Sequence, residues 1–281
     1  MRSLWTRARR TEKAAYLISA ALILSGLVHV AVLLTTGRTW EGPLSLRKAA
    51  TFGLSFGLTL ATVTWATSYL TIKRRTPLLA LFATASIIEV ILVTTQAWRG
   101  VPSHFNFETP QDTAVSMTLA AGGGVLVLTS IALTVAATTG ARNTTPTMRL
   151  AVRFGLAALL IALATGAAMI AKGVIASRSG NPDLAYTTAG SLKPLHAVAM
   201  HAILVVPALA WLLDRTTIHN HMRLVWTAIA AYSTLITLVG VESITGVSPL
   251  APPTIAAIAS ILAITTLGAV TLYGWAHRAK A

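Results

Sequence analysis

Eight apolar runs, each long enough to cross a bilayer, constrain this chain more than any other feature. They lie at about 14–35, 49–71, 77–97, 113–139, 149–174, 194–213, 223–243 and 254–275, and a spanning helix needs about 20 apolar residues. Lipid offers the backbone no hydrogen-bond partner, so each run must be helical. Turn-forming residues punctuate the gaps: Gly37, Lys73 to Pro77, Gly100 to Pro110, Gly140 to Pro146, Gly180-Asn181-Pro182 and Pro249 to Pro253. Charged residues make up 11% of the chain and mean hydropathy is +0.70. Soluble domains carry about 25% charged residues, so a water-soluble globular fold is excluded. The expectation is an all-α polytopic transmembrane bundle. Cysteine is absent, which excludes disulfides, thiolate metal sites, iron–sulfur clusters and cysteine nucleophiles.

The first run is too long for a signal-peptide core and no small-x-small cleavage site follows it, so it reads as a span. The 22 basic residues then fall unequally on the two sides. One side holds 15: Arg2, Arg7, Arg9, Arg10, Lys13, Lys73, Arg74, Arg75, Arg142, Arg149, Arg153, Arg215, Arg223, Arg278 and Lys280. The other holds 7: Arg38, Arg47, Lys48, Arg99, Lys172, Arg178 and Lys193. The positive-inside rule predicts both termini in the cytoplasm, with the chain in the cell membrane. It also assigns the net charge of +14 to topology and anionic-lipid contact rather than to nucleic acid. The sequon Asn143-Thr144-Thr145 falls on the cytoplasmic side and is discounted. The bilayer is the one partner the sequence names; a homo-oligomer or a redox partner in the membrane fits it without being specified.

Displaced by 146 positions, residues 45–101 align with 191–247 without a gap, with twelve identities that include Trp65 on Trp211 and Gly100 on Gly246. One helix earlier, Ser25 to His29 resembles Thr165 to Met169. This reads as two four-helix halves, 1–145 and 146–281, in one membrane domain. Four spans return the chain to its starting side, so the halves are expected to be parallel repeats about an axis along the membrane normal, with a site at their interface.

Ionisable residues inside hydrocarbon cost at least about 2.5 kcal/mol each, so their positions carry information. Counted along the helices at 1.5 Å per residue, His29, Glu89 and His201 lie roughly 9, 12 and 10 Å from the outer end. They are expected to converge in one outer-half pocket. Gln96 follows Glu89 by seven residues on the same helical face. Lys172, Lys193, His196 and Glu242 fall near the outer rim. Each has a plainer role open to it: His29 as a hydrogen bonder to a carbonyl one turn back, His196 at the interface, Glu89 in an ion pair. His219, His221 and His277 read as solvated. Gly53 with Gly57, and Gly122 to Gly124, read as close helix packing. The third loop, Gln96 to Asp112, carries Arg99, His104, Asn106 and Glu108 among aromatic residues. It reads as a lid or substrate-binding loop, with Asp112 as N-cap of the next helix.

The Arg47-Lys48 pair, the Arg99-Gly100-x-x-Ser103-His104-Phe105-Asn106 loop and the two-histidine segment His196 to His201 resemble a group of uncharacterised bacterial polytopic membrane proteins. The resemblance covers most of the spans and brings no activity with it. Ala49 stands where a proline is expected after the basic pair.

Three functions follow from these residues. The first is a heme- or metal-binding redox protein. In it, His29 and His201 ligate one heme b, with Arg47, Lys48 and Arg99 on the propionates, or hold a transition metal ion together with Glu89. Met169 is an alternative soft ligand. The second is a transporter for a small solute, with Glu89 able to carry a proton and the basic rim favouring an anion; Gln96, His104, Asn106, His196 and Glu242 are the candidate substrate and loop residues. The third is a membrane enzyme on a lipid-linked substrate, with His104 or His201 as general base.

Overall fold

The computed structural model describes residues 6, 8–37, 39–40, 42, 44–139, 144–181, 184–185 and 190–278. Arg2, Arg7, Arg38, Arg142 and Lys280 of the charge tally lie outside them, as do Gly140, Asn143 and Pro182. Among the described residues eight helices are long and apolar enough to cross a membrane. They are α1 (Arg10–Thr36), α2 (Arg47–Thr67), α3 (Arg75–Arg99), α4 (Pro110–Thr139), α5 (Pro146–Arg178), α6 (Lys193–Leu213), α7 (His221–Thr245) and α8 (Thr254–Ala276). A 3-10 turn, Gly190–Leu192, leads into α6. The chain is a polytopic, all-helical membrane protein.

Many of the hydroxyls inside the spans are handled locally. Ser19, Thr62, Ser86, Thr118, Thr165 and Thr234 each donate to the carbonyl four residues back, the standard means of hiding Ser and Thr in a helix that faces lipid.

The bounds of α6 and α7 are those of α2 and α3 moved along by 146 residues at all four ends. The ends of α3 and α7 also close alike. Gly100 and Gly246 adopt the left-handed conformation (φ 68° and 75°), and the next amides, Val101 and Val247, return to the carbonyls of Gln96 and Glu242 at 3.1 and 2.9 Å. Only glycine takes that conformation without a Cβ penalty.

By its internal contacts the chain forms two compact units that interleave in sequence. Unit 1 comprises residues 1–65, 74–132 and 167–189; unit 2 comprises 66–73, 133–166 and 190–281. In unit 1, α1 and α2 touch backbone to backbone. A Cβ on Gly53 would lie 2.6 Å from the Gly26 nitrogen, and one on Gly57 2.7 Å from the Ser19 carbonyl. Around that crossing Leu33, Leu46, Ala49, Ala50 and Ala97 form a small core. The first turns of α1 and α3 are joined by an ion pair between Arg75 and Glu12, both buried. Arg75 donates further to the Thr64 carbonyl, and Glu12 also accepts from the Arg9 amide.

In unit 2, α6, α7 and α8 pack against one another. Gly155 lets α5 approach the Ile203 backbone, where a Cβ would sit 2.7 Å from its Cα. The Tyr232 hydroxyl donates to the Val198 carbonyl at 2.9 Å, joining α7 to α6. Asp214 accepts from Thr145 and Thr147. Arg153 closes the end of α4 by donating to the Ala137 and Thr138 carbonyls.

Candidate functional site

The polar residues of unit 1 gather where α3 ends and α4 begins. α4 starts at Pro110 and its first turn is capped by Thr109, whose hydroxyl accepts the Asp112 amide at 3.1 Å. Asp112 therefore lies inside the helix and is not its cap, a correction to the sequence reading. The signal was present as Thr109-Pro110-Gln111-Asp112, a hydroxyl followed by proline and then an acid three positions on. Freed from capping, the Asp112 carboxylate becomes the hub of the site. One oxygen accepts from Arg99 at 2.7 Å and from the Gln96 amide at 2.8 Å; the other accepts from Thr109 at 2.7 Å. Arg99 also donates to the Gln96 carbonyl oxygen. Three residues from two helices thus close a ring of charge-assisted bonds, and Gln96 is fully buried within it.

The loop that follows α3 folds back against the bundle. Ser103 and Asn106 are buried. The Asn106 amide donates to the Ser116 hydroxyl at 3.2 Å, and that hydroxyl donates to the Asn106 carbonyl at 3.0 Å. The Asn106 side chain accepts the Glu108 amide at 3.1 Å, while its Nδ2 is buried without a partner. Lys48, in the first turn of α2, reaches His104 Nδ1 at 3.0 Å. An ammonium can only donate, so Nδ1 accepts and the neutral ring carries its proton on Nε2. Ser103 Oγ faces the same nitrogen at 3.0 Å. Burial, and then the Lys48 charge, holds the His104 imidazole well below its ordinary range. Arg47 is half-buried beside Lys48 in the same turn of α2, its amide donating to Ser45 Oγ at 3.1 Å.

Glu89 is buried deeper on α3. Its carboxyl lies against α4, in contact with the Gly123 backbone and within electrostatic range of Lys48. A Cβ on Gly122 would come within 2.7 Å of Glu89 Oε1. Gly122 therefore makes room for a carboxyl, where the sequence reading saw only helix packing.

The other residues singled out by depth have specific partners. His29 is buried and both ring nitrogens are engaged. Trp98 Nε1 donates to Nε2 at 3.0 Å, which leaves the proton on Nδ1 to be given to the Ser25 carbonyl at 2.7 Å. His29 thus ties α1 to α3. In unit 2, His196 Nδ1 meets the Ala162 carbonyl at 2.7 Å, tying α6 to α5, and Gly166 leaves the space its ring occupies. His201 is exposed on α6 and its Nδ1 meets the Ala197 carbonyl one turn back, also at 2.7 Å. Glu242 is buried with Oε1 unpartnered. Among the described residues no three His, Asp or Glu side chains lie close enough together to hold a metal ion.

Comparison with protein families, with curated proteins and with solved structures gives no match to this chain.

Proposed function

We propose that this membrane protein is a permease for a small anionic solute, with its binding site at the α3–α4 end of unit 1. The observation that carries the reading is the grouping of Lys48, Glu89, Gln96, Arg99, His104 and Asp112 from three helices and a loop. Ionisable side chains at membrane depth mark solute and proton paths in general, because no lipid-facing role repays their cost. Lys48 and Arg47 supply positive charge at the start of α2, while Asp112 is held by Arg99. Glu89 gives the path a group able to take up and release a proton. The basic-residue split supports an extracytoplasmic position for this end and a cytoplasmic one for both termini. The 146-residue displacement shared by two helix pairs supports a parallel duplication.

The site chemistry favours this reading over the two others. His29 Nε2 accepts from Trp98, and His104 Nδ1 faces Lys48 and Ser103, which speaks against His29 as an iron ligand and His104 as a general base; His201, the other histidine of both readings, is exposed on α6. Purified protein is expected to show no Soret band and no stoichiometric metal. A Soret band that disappears in His201→Ala would restore the heme reading.

The direct test is uptake into proteoliposomes. Wild-type protein is expected to accumulate at least one member of a panel of labelled monocarboxylates and inorganic phosphate. Lys48→Met is expected to lower that rate about tenfold or more, the scale of one lost charge-assisted contact. Equal uptake by both proteins, or none for any solute, would overturn the proposal.

A further inference from the structure

The loop 100–109 is held more tightly than a surface connection requires, and it is held in a strained shape. Phe105 adopts φ 61°, a left-handed conformation that a bulky residue occupies only when its surroundings impose it. Those surroundings are specific. The Phe105 ring fills the notch left by Gly173 on α5, where a Cβ would lie 2.4 Å from the ring edge. The Phe105 carbonyl accepts from Ser177 at 2.9 Å. Asn106 is clasped by Ser116 of α4, and His104 by Lys48 of α2. The His104 ring also meets Phe52 and Phe105 edge-on, at 5.7 and 5.8 Å between centroids. A cavity of about 20 Å³ remains beside His104, Ser116 and Ile170, enough for about one water molecule.

We propose that loop 100–109 is a plug released by acid, with protonation of His104 as the trigger and the fixed charge of Lys48 as what the proton meets. The argument is one of valence. Neutral His104 already carries hydrogen on Nε2, so an added proton has only Nδ1 to occupy. Nδ1 is the atom that accepts from Lys48. Protonation thus turns a donor–acceptor pair at 3.0 Å into two facing donors of like charge. Among the described residues, no acidic group is among the causes that act on His104. Lys48 is the charged group that acts on His104; α4 and α5 present Ser116, Met117, Ile170 and Val174 there. Glu89 acts on Lys48 from α3, Asp112 is committed to Arg99, Gln96 and Thr109, and Glu108 and Lys172 are exposed.

The sign follows from linkage. A released His104 titrates near the ordinary value of about 6.5, whereas the seated ring stays neutral well below it. As pH falls through that window the released loop takes up a proton that the seated loop refuses, so seating weakens. Release also relaxes Phe105. The inference rests on the permease reading only for what the plug covers.

Hydrogen–deuterium exchange on the full chain in nanodiscs tests it without any transport measurement. Peptides spanning 100–109 are expected to be protected at pH 7.5 and to lose at least tenfold of that protection at pH 5, after correction for intrinsic exchange. His104→Gln, which has no proton to gain, is expected to stay protected at both values. Lys48→Gln, which keeps a donor without the charge, is expected to show a weaker response, since burial of the ring remains. Equal wild-type protection at both pH values would overturn the proposal, and so would a full acid response in Lys48→Gln. Should His104→Gln fail to seat at pH 7.5, Lys48→Gln alone decides. Absent uptake beside an intact acid response would sink the permease and leave the plug.

Discussion

Replacing Arg75 with methionine is expected to lower the unfolding free energy by about 3–5 kcal/mol, the cost of breaking a buried ion pair from one side. The Arg75 guanidinium meets Glu12 across the α1–α3 contact and also satisfies the Thr64 carbonyl of α2. Its loss strands a carboxylate and a carbonyl together. Glu12→Leu combined with Arg75→Met removes both charges and is expected to recover most of the loss, because the desolvation of the pair disappears with it. Thermal melting in detergent, read as a double-mutant cycle, measures the coupling. A single-variant melting point equal to wild type would mean that the pair contributes nothing.

Gly53→Leu is the second large effect. The space beyond Gly53 is filled by the backbone of Gly26 and by the Leu22 carbonyl, all within 2.8 Å of a Cβ. Backbone cannot swing aside as a side-chain tip can, so α1 and α2 must separate. The expected loss is about 3 kcal/mol, the upper part of the range for overpacking. Gly124→Ala is the control, since a Cβ there meets nothing within 4 Å. Helix propensity alone should leave that variant neutral or more stable by up to about 1 kcal/mol. Comparable destabilisation by both would show that the crossing tolerates a side chain.

The spans were legible because length and apolarity are linear properties: each of the eight runs lies within or nearly within one helix. The polar residues were legible only in part, because position along a helix is linear and direction around it is not. By residue count alone, His29, Glu89 and His201 are expected at one depth. What decides their roles is azimuth and neighbour, and neither is written in spacing. Trp98, sixty-nine residues from His29, takes the nitrogen that would have faced a metal. His196 is held through Nδ1 by the Ala162 main-chain oxygen, a partner that no side-chain pattern announces. The loop was readable as functional by its density of polar and aromatic residues. Its Lys48 anchor and its Gly173 seat come from helices far away in sequence, and only packing reveals them.

α5 has 33 residues, about 50 Å at 1.5 Å per residue, whereas the hydrocarbon layer is about 30 Å thick. A helix that long must tilt steeply or stand out of the layer. The surplus has a use, since Ile170, Gly173, Val174 and Ser177, the residues that receive the loop, all belong to its last third. The hold on the loop is therefore tied to membrane thickness. Protection of loop 100–109 is expected to differ between short-chain and long-chain lipids, a dependence on acyl-chain length that would stand beside the proposed one on pH.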